Sequence, residues 1–183
     1  MDLFEDWSKR IRDADEQAYA EVFEALHTPL LRYTIKLIDN EPAAYDVVQD
    51  AFIKLWTTRD RLDPDRSLKA FLFTIVRNLS FNYQRQLKAQ QARITAMPTQ
   101  ETTSVPAPEE TMDAEALGDR LRGWIAELPP RRREAFHLSR YEGLTHEEIA
   151  DVMDLTPRTV TNHIMLALQH LRGRLNAYQA NGA

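Results

Sequence analysis

No cysteine occurs among the 183 residues. Disulfide bridges and thiolate metal sites are therefore excluded. Glycine is scarce, with 5 residues, and β-branched runs are few. Set beside long apolar periodicities near 3.6, this composition points to an all-α protein. No apolar run approaches the ~20 residues needed to span a bilayer, so no direct membrane insertion is expected. The opening stretch Met1-Asp-Leu-Phe-Glu-Asp-Trp7 is acidic, the wrong charge for a secretory signal, and a cytoplasmic location is expected. The five histidines, His27, His137, His146, His163 and His170, form no ligand motif. His146-Glu-Glu lacks the second histidine of a zinc-protease helix, so surface or capping roles are expected, with no metal and no cofactor. A glycine-rich phosphate loop and a convergent set of acid, base and nucleophile are also missing, which argues against an enzyme.

What is present is a strongly uneven charge pattern. The net charge is −5, an unpromising value for a protein that binds nucleic acid. Its distribution reverses that impression. Residues 1–65 hold 8 basic and 15 acidic groups, whereas residues 66–100 hold 6 basic groups and no acid. Residues 101–119 hold 6 acids and no base, and residues 120–183 hold 9 basic and 7 acidic groups, with no acid after Asp154. Screening limits each charge to about 8–10 Å, so a nucleic-acid contact needs a local positive surface, not a positive total.

The most specific pattern lies between Leu144 and Ile164. Thr145 and Glu148 have the spacing of a capping box. Ile149, Ala150 and Met153 supply the inner face of a short helix, and Asp154 stands where the chain must turn, a position that tolerates left-handed backbone. Thr156 and Pro157 restart a helix as N-cap and first residue. Val160, Ile164, Ala167, Leu168 and Leu171 then point inward at helical spacing. This is the grammar of a helix-turn-helix, whose second helix lies in the DNA major groove. The same pattern also fits a helical hairpin in an ordinary core.

The rest of the chain divides into two helical blocks. From about Asp15 to Arg93, apolar stripes mark helices through Ala18–Ile38, Tyr45–Trp56 and Leu68–Tyr83. Pro29 marks a kink or a restart in the first of these. Asp39 to Pro42 is a break, Thr57 to Arg66 reads as a polar loop, and core packing is expected of Phe71 and Phe81. Residues Thr95–Thr111, with Pro98, Pro106 and Pro108 among polar residues, have linker composition. A helix through Leu117–Leu128, a stop at Pro129-Pro130 and a helix through Ala135–Tyr141 precede the helix-turn-helix. The expected organisation is two small helical domains, 1–94 and 115–183, joined by a flexible linker over 95–114.

Four segments carry a family resemblance. They are Ala44-Tyr-Asp-Val-Val-Gln-Asp-Ala-Phe-Ile-Lys-Leu-Trp56, Lys69-Ala-Phe-Leu-Phe-Thr-Ile-Val-Arg-Asn-Leu79, Glu127-Leu-Pro-Pro-Arg-Arg-Arg-Glu-Ala-Phe136 and Tyr141-Glu-Gly-Leu-Thr-His-Glu-Glu-Ile-Ala150. In this order they resemble bacterial sigma-70-type factors, and the short two-domain layout resembles the extracytoplasmic-function group. The resemblance implies a protein that binds core RNA polymerase, directs it to promoter DNA at −10 and −35 elements, and helps open the duplex. It also implies an anti-sigma partner, often membrane-anchored. The competing reading is a helix-turn-helix regulator whose N-terminal block senses a ligand or dimerises. A regulator does not need the Val48-Gln-Asp-Ala-Phe52 segment followed by a basic helix.

Particular residues follow from this frame. Asp46, Gln49, Asp50 and Ile53 share one helix face and suit a basic partner helix. The resemblance assigns that face to the clamp helices of the largest polymerase subunit; by themselves the carboxylates also fit a solvated acidic face. Arg66, Lys69, Arg77, Asn78, Asn82, Tyr83 and Arg85 offer the cationic, amide and aromatic groups that hold a single strand and a captured base. Asn82 stands where the family commonly has Asp. On the second helix of the helix-turn-helix, Arg158, Thr159, Thr161, Asn162, His163 and Met165 are groove candidates, with Arg172 on the DNA backbone. Relatives often carry Lys or Arg at the positions of Thr161, His163 and Leu166, so this chain is expected to anchor phosphates less strongly. Arg174 is a further candidate for the DNA backbone, and Arg131, Arg132 and Arg133 fit either DNA or solvent.

Overall fold

A computed structural model describes residues 3–94 and 113–181, so the expected linker falls almost wholly outside the described residues. The chain divides into two compact units, and among the described residues all regular structure is helical. The N-terminal unit holds α1 (Leu3–Arg12), α2 (Glu16–Ile38), α3 (Glu41–Thr57), a 3-10 turn (Arg59–Arg61) and α4 (Leu68–Ile94). After these, in chain order, come α5 (Asp113–Ala126), α6 (Pro130–Arg140), α7 (His146–Met153) and α8 (Pro157–Asn181).

In the N-terminal unit, α2, α3 and α4 pack on one another around Leu30, Tyr33, Phe52, Leu55, Leu72 and Phe73, all fully buried. Each such side chain contributes about 1.5–3 kcal/mol by leaving water. The Tyr33 and Phe73 rings meet at 5.3 Å, joining α2 to α4. Asp39 adopts the left-handed conformation (φ 48°) that ends α2, and the Asn40 side chain then accepts the Ala43 N–H at 3.0 Å to start α3. The Gln84 amide donates to the Leu37 carbonyl, fixing α4 against the end of α2.

Several details depart from the sequence expectations. Pro29 neither restarts nor ends α2, which continues from Glu16 to Ile38. The buried stripe of Leu26, Leu30, Tyr33 and Thr34 holds the helix across the lost hydrogen bond. The N-terminal residues form α1 (Leu3–Arg12), which lies outside the apolar stripes of the sequence. Trp7 and Ile11 are buried, the Trp7 indole donates to Glu21 at 2.7 Å, and Arg10 bonds both Asp15 and Glu21. On α4, the core aromatic is Phe73; Phe71 and Phe81 are only half-buried. Leu72, Phe73, Ile75 and Val76 define the inner stripe, and Phe71 and Phe81 flank it. The polar stretch 57–66 contains the 3-10 turn and is anchored by buried Leu62.

In the C-terminal unit, Leu128, Phe136, Ala167 and Leu171 form a cluster backed by Trp124, Ile125 and Leu168, which joins α5 and α6 to α8. Pro130 opens α6 in its first turn, where no N–H is required. Gly143 (φ 64°) lets the chain leave α6 and run directly into the cap of α7.

Candidate polymerase and nucleic-acid interfaces

Helix α3 is two-sided. Val47, Val48, Ala51, Phe52 and Leu55 are buried, while Asp46, Gln49, Asp50 and Ile53 are all exposed. Ile53 is 58 % exposed, a large apolar side chain left in water beside two carboxylates. Exposed Tyr45 and Phe23 extend this apolar character: Phe23 packs on Phe52 at 4.7 Å and on His27 at 4.8 Å.

The residues named on α4 do not all converge. At 3.6 residues per turn, Arg77, Asn78, Phe81, Asn82 and Arg85 occupy one side. Arg77 lies over the Phe81 ring at 4.6 Å, and Arg85 donates to the Asn82 carbonyl oxygen at 2.6 Å. Asn78, Asn82 and Arg85 are exposed. Lys69 and Tyr83 fall on the other side of the helix and are half-buried. Arg66 is exposed in the loop before α4, where the Asp63 carboxylate accepts the Asp65 N–H and Ser67 caps the helix through the Ala70 N–H. Just upstream, Arg59 lies 4.7 Å from the Trp56 ring centroid and donates to the Trp56 carbonyl.

The helix-turn-helix forms as its spacing predicts. Thr145 Oγ1 accepts the Glu148 N–H at 3.2 Å, and Glu148 accepts the Thr145 N–H at 2.7 Å, a reciprocal capping box. Asp154 has φ 54° at the turn, and Thr156 Oγ1 accepts the Thr159 N–H at 3.2 Å to open α8. Ile149, Val152 and Met153 of α7 and Val160 and Ile164 of α8 are buried. On the opposite side of α8, Arg158, Thr161, Asn162, Met165 and Arg172 are exposed and share one face. Thr159 and His163 are turned away from it and half-buried. Burial, then the charges of Arg132 and Arg131, hold the His163 imidazole below its ordinary range.

Two side chains differ from expectation. Arg174 has a partner within the protein: its Nε donates to Glu127 at 2.8 Å, and His170 lies 3.3 Å from the same carboxylate oxygen. Arg174, then His170, hold the Glu127 carboxyl below the usual range. His137 is not a surface or capping residue but a buried one, stacked on Tyr141, with Nδ1 3.5 Å from the buried carboxylate of Glu142. Among the described residues, no group of three or more His, Cys, Asp or Glu is placed to hold a metal ion.

Comparison with known proteins decides the family. Residues 22–90 match the Sigma-70 region 2 family, and residues 119–171 match Sigma-70, region 4. The ECF RNA polymerase sigma-E factor of Escherichia coli is 31 % identical over 141 residues, covering 71 % of this chain and 72 % of that protein. The chain belongs to the ECF sigma factors. The sigma factor CarQ of Myxococcus xanthus is 28 % identical to this sigma factor over 151 residues, covering 81 % of this chain and 84 % of CarQ. In fold, the chain is similar to CnrH, solved in complex with the cytosolic domain of CnrY, at a TM-score of 0.67 and 22 % identity over 96 % of this chain and 99 % of that one. It is also similar to the sigma factor RpoE of Bartonella quintana, solved with the anti-sigma factor NepR, at a TM-score of 0.63 and 24 % identity over 86 % and 96 % of the two chains. Membership makes this protein an alternative sigma factor acting in transcription initiation, a non-enzymatic factor, and disfavours the sensing-regulator reading.

The sequence missed residues that bear on these faces. The pairing of Arg77 with Phe81 was legible as an i, i+4 spacing, but Phe81 was assigned to the core instead. The contact of His146 Nδ1 with Thr161 Oγ1, 2.9 Å across the helix-turn-helix, had no sequence signal, because it joins residues fifteen positions apart on different helices.

Proposed function

We propose that residues 1–94 engage core RNA polymerase and the −10 element, and that residues 115–183 read the −35 element, with residues 95–114 as the tether. Asp46, Gln49, Asp50 and Ile53 dock on a basic, apolar helix of the polymerase. Arg77, Asn78, Asn82 and Arg85 hold the opened strand, with Arg66 before the helix, while Lys69 and Tyr83 stand on the other side of α4, away from that strand. Arg158, Thr161, Asn162 and Met165 face the major groove, Arg172 meets backbone phosphate, and Thr159 and His163 support that face from its side. The reading rests above all on one observation: Ile53 stands exposed among Asp46, Gln49 and Asp50 on a single face of α3. Such a surface has an apolar group to bury and two charges to pair, which fits a basic amphipathic partner. Binding of the full chain to core polymerase tests it. Asp50→Lys is expected to weaken binding about tenfold or more, the size of a like-charge contact at an interface; unchanged binding would contradict the docking role.

The protein works in the cytoplasm, where the polymerase is. No helix among the described residues is long and apolar enough to cross a membrane. An anti-sigma protein restrains it, a reading supported by the solved relatives CnrH and RpoE, each captured with a protein partner. Affinity isolation from native cells is expected to recover a partner that competes with core polymerase. Repeated recovery of polymerase subunits alone would count against it.

A further inference from the structure

Thr161 lies on the exposed face of α8, yet its hydroxyl is engaged within the protein. Oγ1 lies 3.0 Å from the Pro157 carbonyl oxygen, one turn earlier, and 2.9 Å from Nδ1 of His146 on α7. A hydroxyl has one proton to donate. When that proton goes to the Pro157 carbonyl, His146 carries its hydrogen on Nδ1 and donates it to Oγ1. When the proton goes to Nδ1 instead, the hydroxyl is again spent inside the helix-turn-helix. In both arrangements the hydroxyl's single donor is used inside the protein, so toward an outside partner Thr161 offers no donor, only acceptor capacity and its γ-methyl. Thr159 behaves in a parallel way: its Oγ1 lies 2.9 Å from Thr156 Oγ1, within the cap of the same helix.

We propose that Thr161 is an apolar reader of the −35 element, its γ-methyl meeting the 5-methyl group of a thymine. His146 is a positioning residue that acts through Thr161 by holding the hydroxyl inward. The thymine methyl is the apolar feature of the major-groove code. Arg158 and Asn162, exposed on the same face, have the donors that suit guanine and adenine. The inference rests on the proposal that α8 is the DNA-facing helix.

The test uses the full chain bound to core polymerase and a promoter duplex in which each −35 thymine is replaced in turn by deoxyuridine, which lacks only the methyl. One replacement is expected to weaken binding about fourfold, the worth of one buried methyl group. That penalty is expected to persist in Thr161→Val, which keeps a methyl and has no hydroxyl, and to disappear in Thr161→Ser. His146→Ala should reduce the penalty, and His146→Asn, whose amide N–H can still reach Oγ1, should restore it. A penalty at no thymine, or one that survives in the serine variant and is lost in the valine variant, would overturn the proposal. So would a Thr161→Val protein with an intact helical circular-dichroism signal and tenfold weaker promoter binding, since the hydroxyl would then touch DNA. Arg158→Ala and Asn162→Ala separate this failure from failure of the underlying reading. If neither weakens promoter binding, α8 does not face DNA; if both do, an adverse result at Thr161 counts against the present inference alone.

Discussion

Helix α4 carries cations that neighbouring groups hold in place, with Arg77 laid over Phe81 and Arg85 bonded to Asn82. Helix α8 presents mostly neutral groups, Thr161, Asn162 and Met165, between Arg158 and Arg172. The first arrangement suits a flexible strand, whose phosphates lack fixed spacing and whose bases can stack. The second suits a rigid groove, where neutral side chains of fixed shape discriminate and phosphates only set the register. If both helices meet nucleic acid as proposed, the two surfaces are of different kinds, and the difference between them is open to direct attack.

The largest expected effect comes from removing one surface while keeping the other. Val160 is fully buried beneath the recognition face. Val160→Asp places an unpaired carboxylate there at a cost above about 4 kcal/mol. Duplex binding at the −35 element should be lost, while binding of the full chain to −10 single strand persists. Loss of both activities would show that the surfaces are not independent. Next in size is Asn162→Ala, expected to cost about 1–3 kcal/mol against its preferred base and little against others, as measured on a set of mutated duplexes. Salt titration sharpens the contrast further. Arg85→Ala should lower the slope of log affinity against log salt for single strand by about 0.7, and Arg158→Ala the slope for duplex by at most about 0.9. Asn162→Ala should leave the duplex slope unchanged. The smallest effect is expected at Thr145→Ala, which removes half of the α7 capping box and should cost about 1 kcal/mol in thermal stability.

The helix-turn-helix was legible in the sequence because its signals are local. Thr145 with Glu148, Asp154 at the turn, and Thr156 before Pro157 each fix backbone through neighbours only a few residues away. The inner faces of α2, α3 and α4 were legible for the same reason, since helical period sorts Leu26, Leu30, Phe52 and Leu55 inward. What escaped depended on groups distant along the chain. Trp7 on α1 finds Glu21 on α2, Glu127 before α6 finds Arg174 on α8, and His146 finds Thr161. These pairings are decided by which helices pack together, and local periodicity carries no record of that. Lys69, Asn78, Tyr83 and Arg85 stand out in the sequence for their chemistry alone, and the turn of the helix puts Lys69 and Tyr83 on one side and Asn78 and Arg85 on the other.

We propose that this sigma factor delivers polymerase to a promoter through two chemically distinct surfaces. The most direct measurement is transcription in vitro with purified core polymerase, using a template mapped from transcripts made when the protein is overproduced. A defined start site is expected that requires the protein, that is lost with Asp50→Lys, and that is weakened by substitutions in both upstream elements. Active core polymerase yielding no protein-dependent start site on such a template would contradict it.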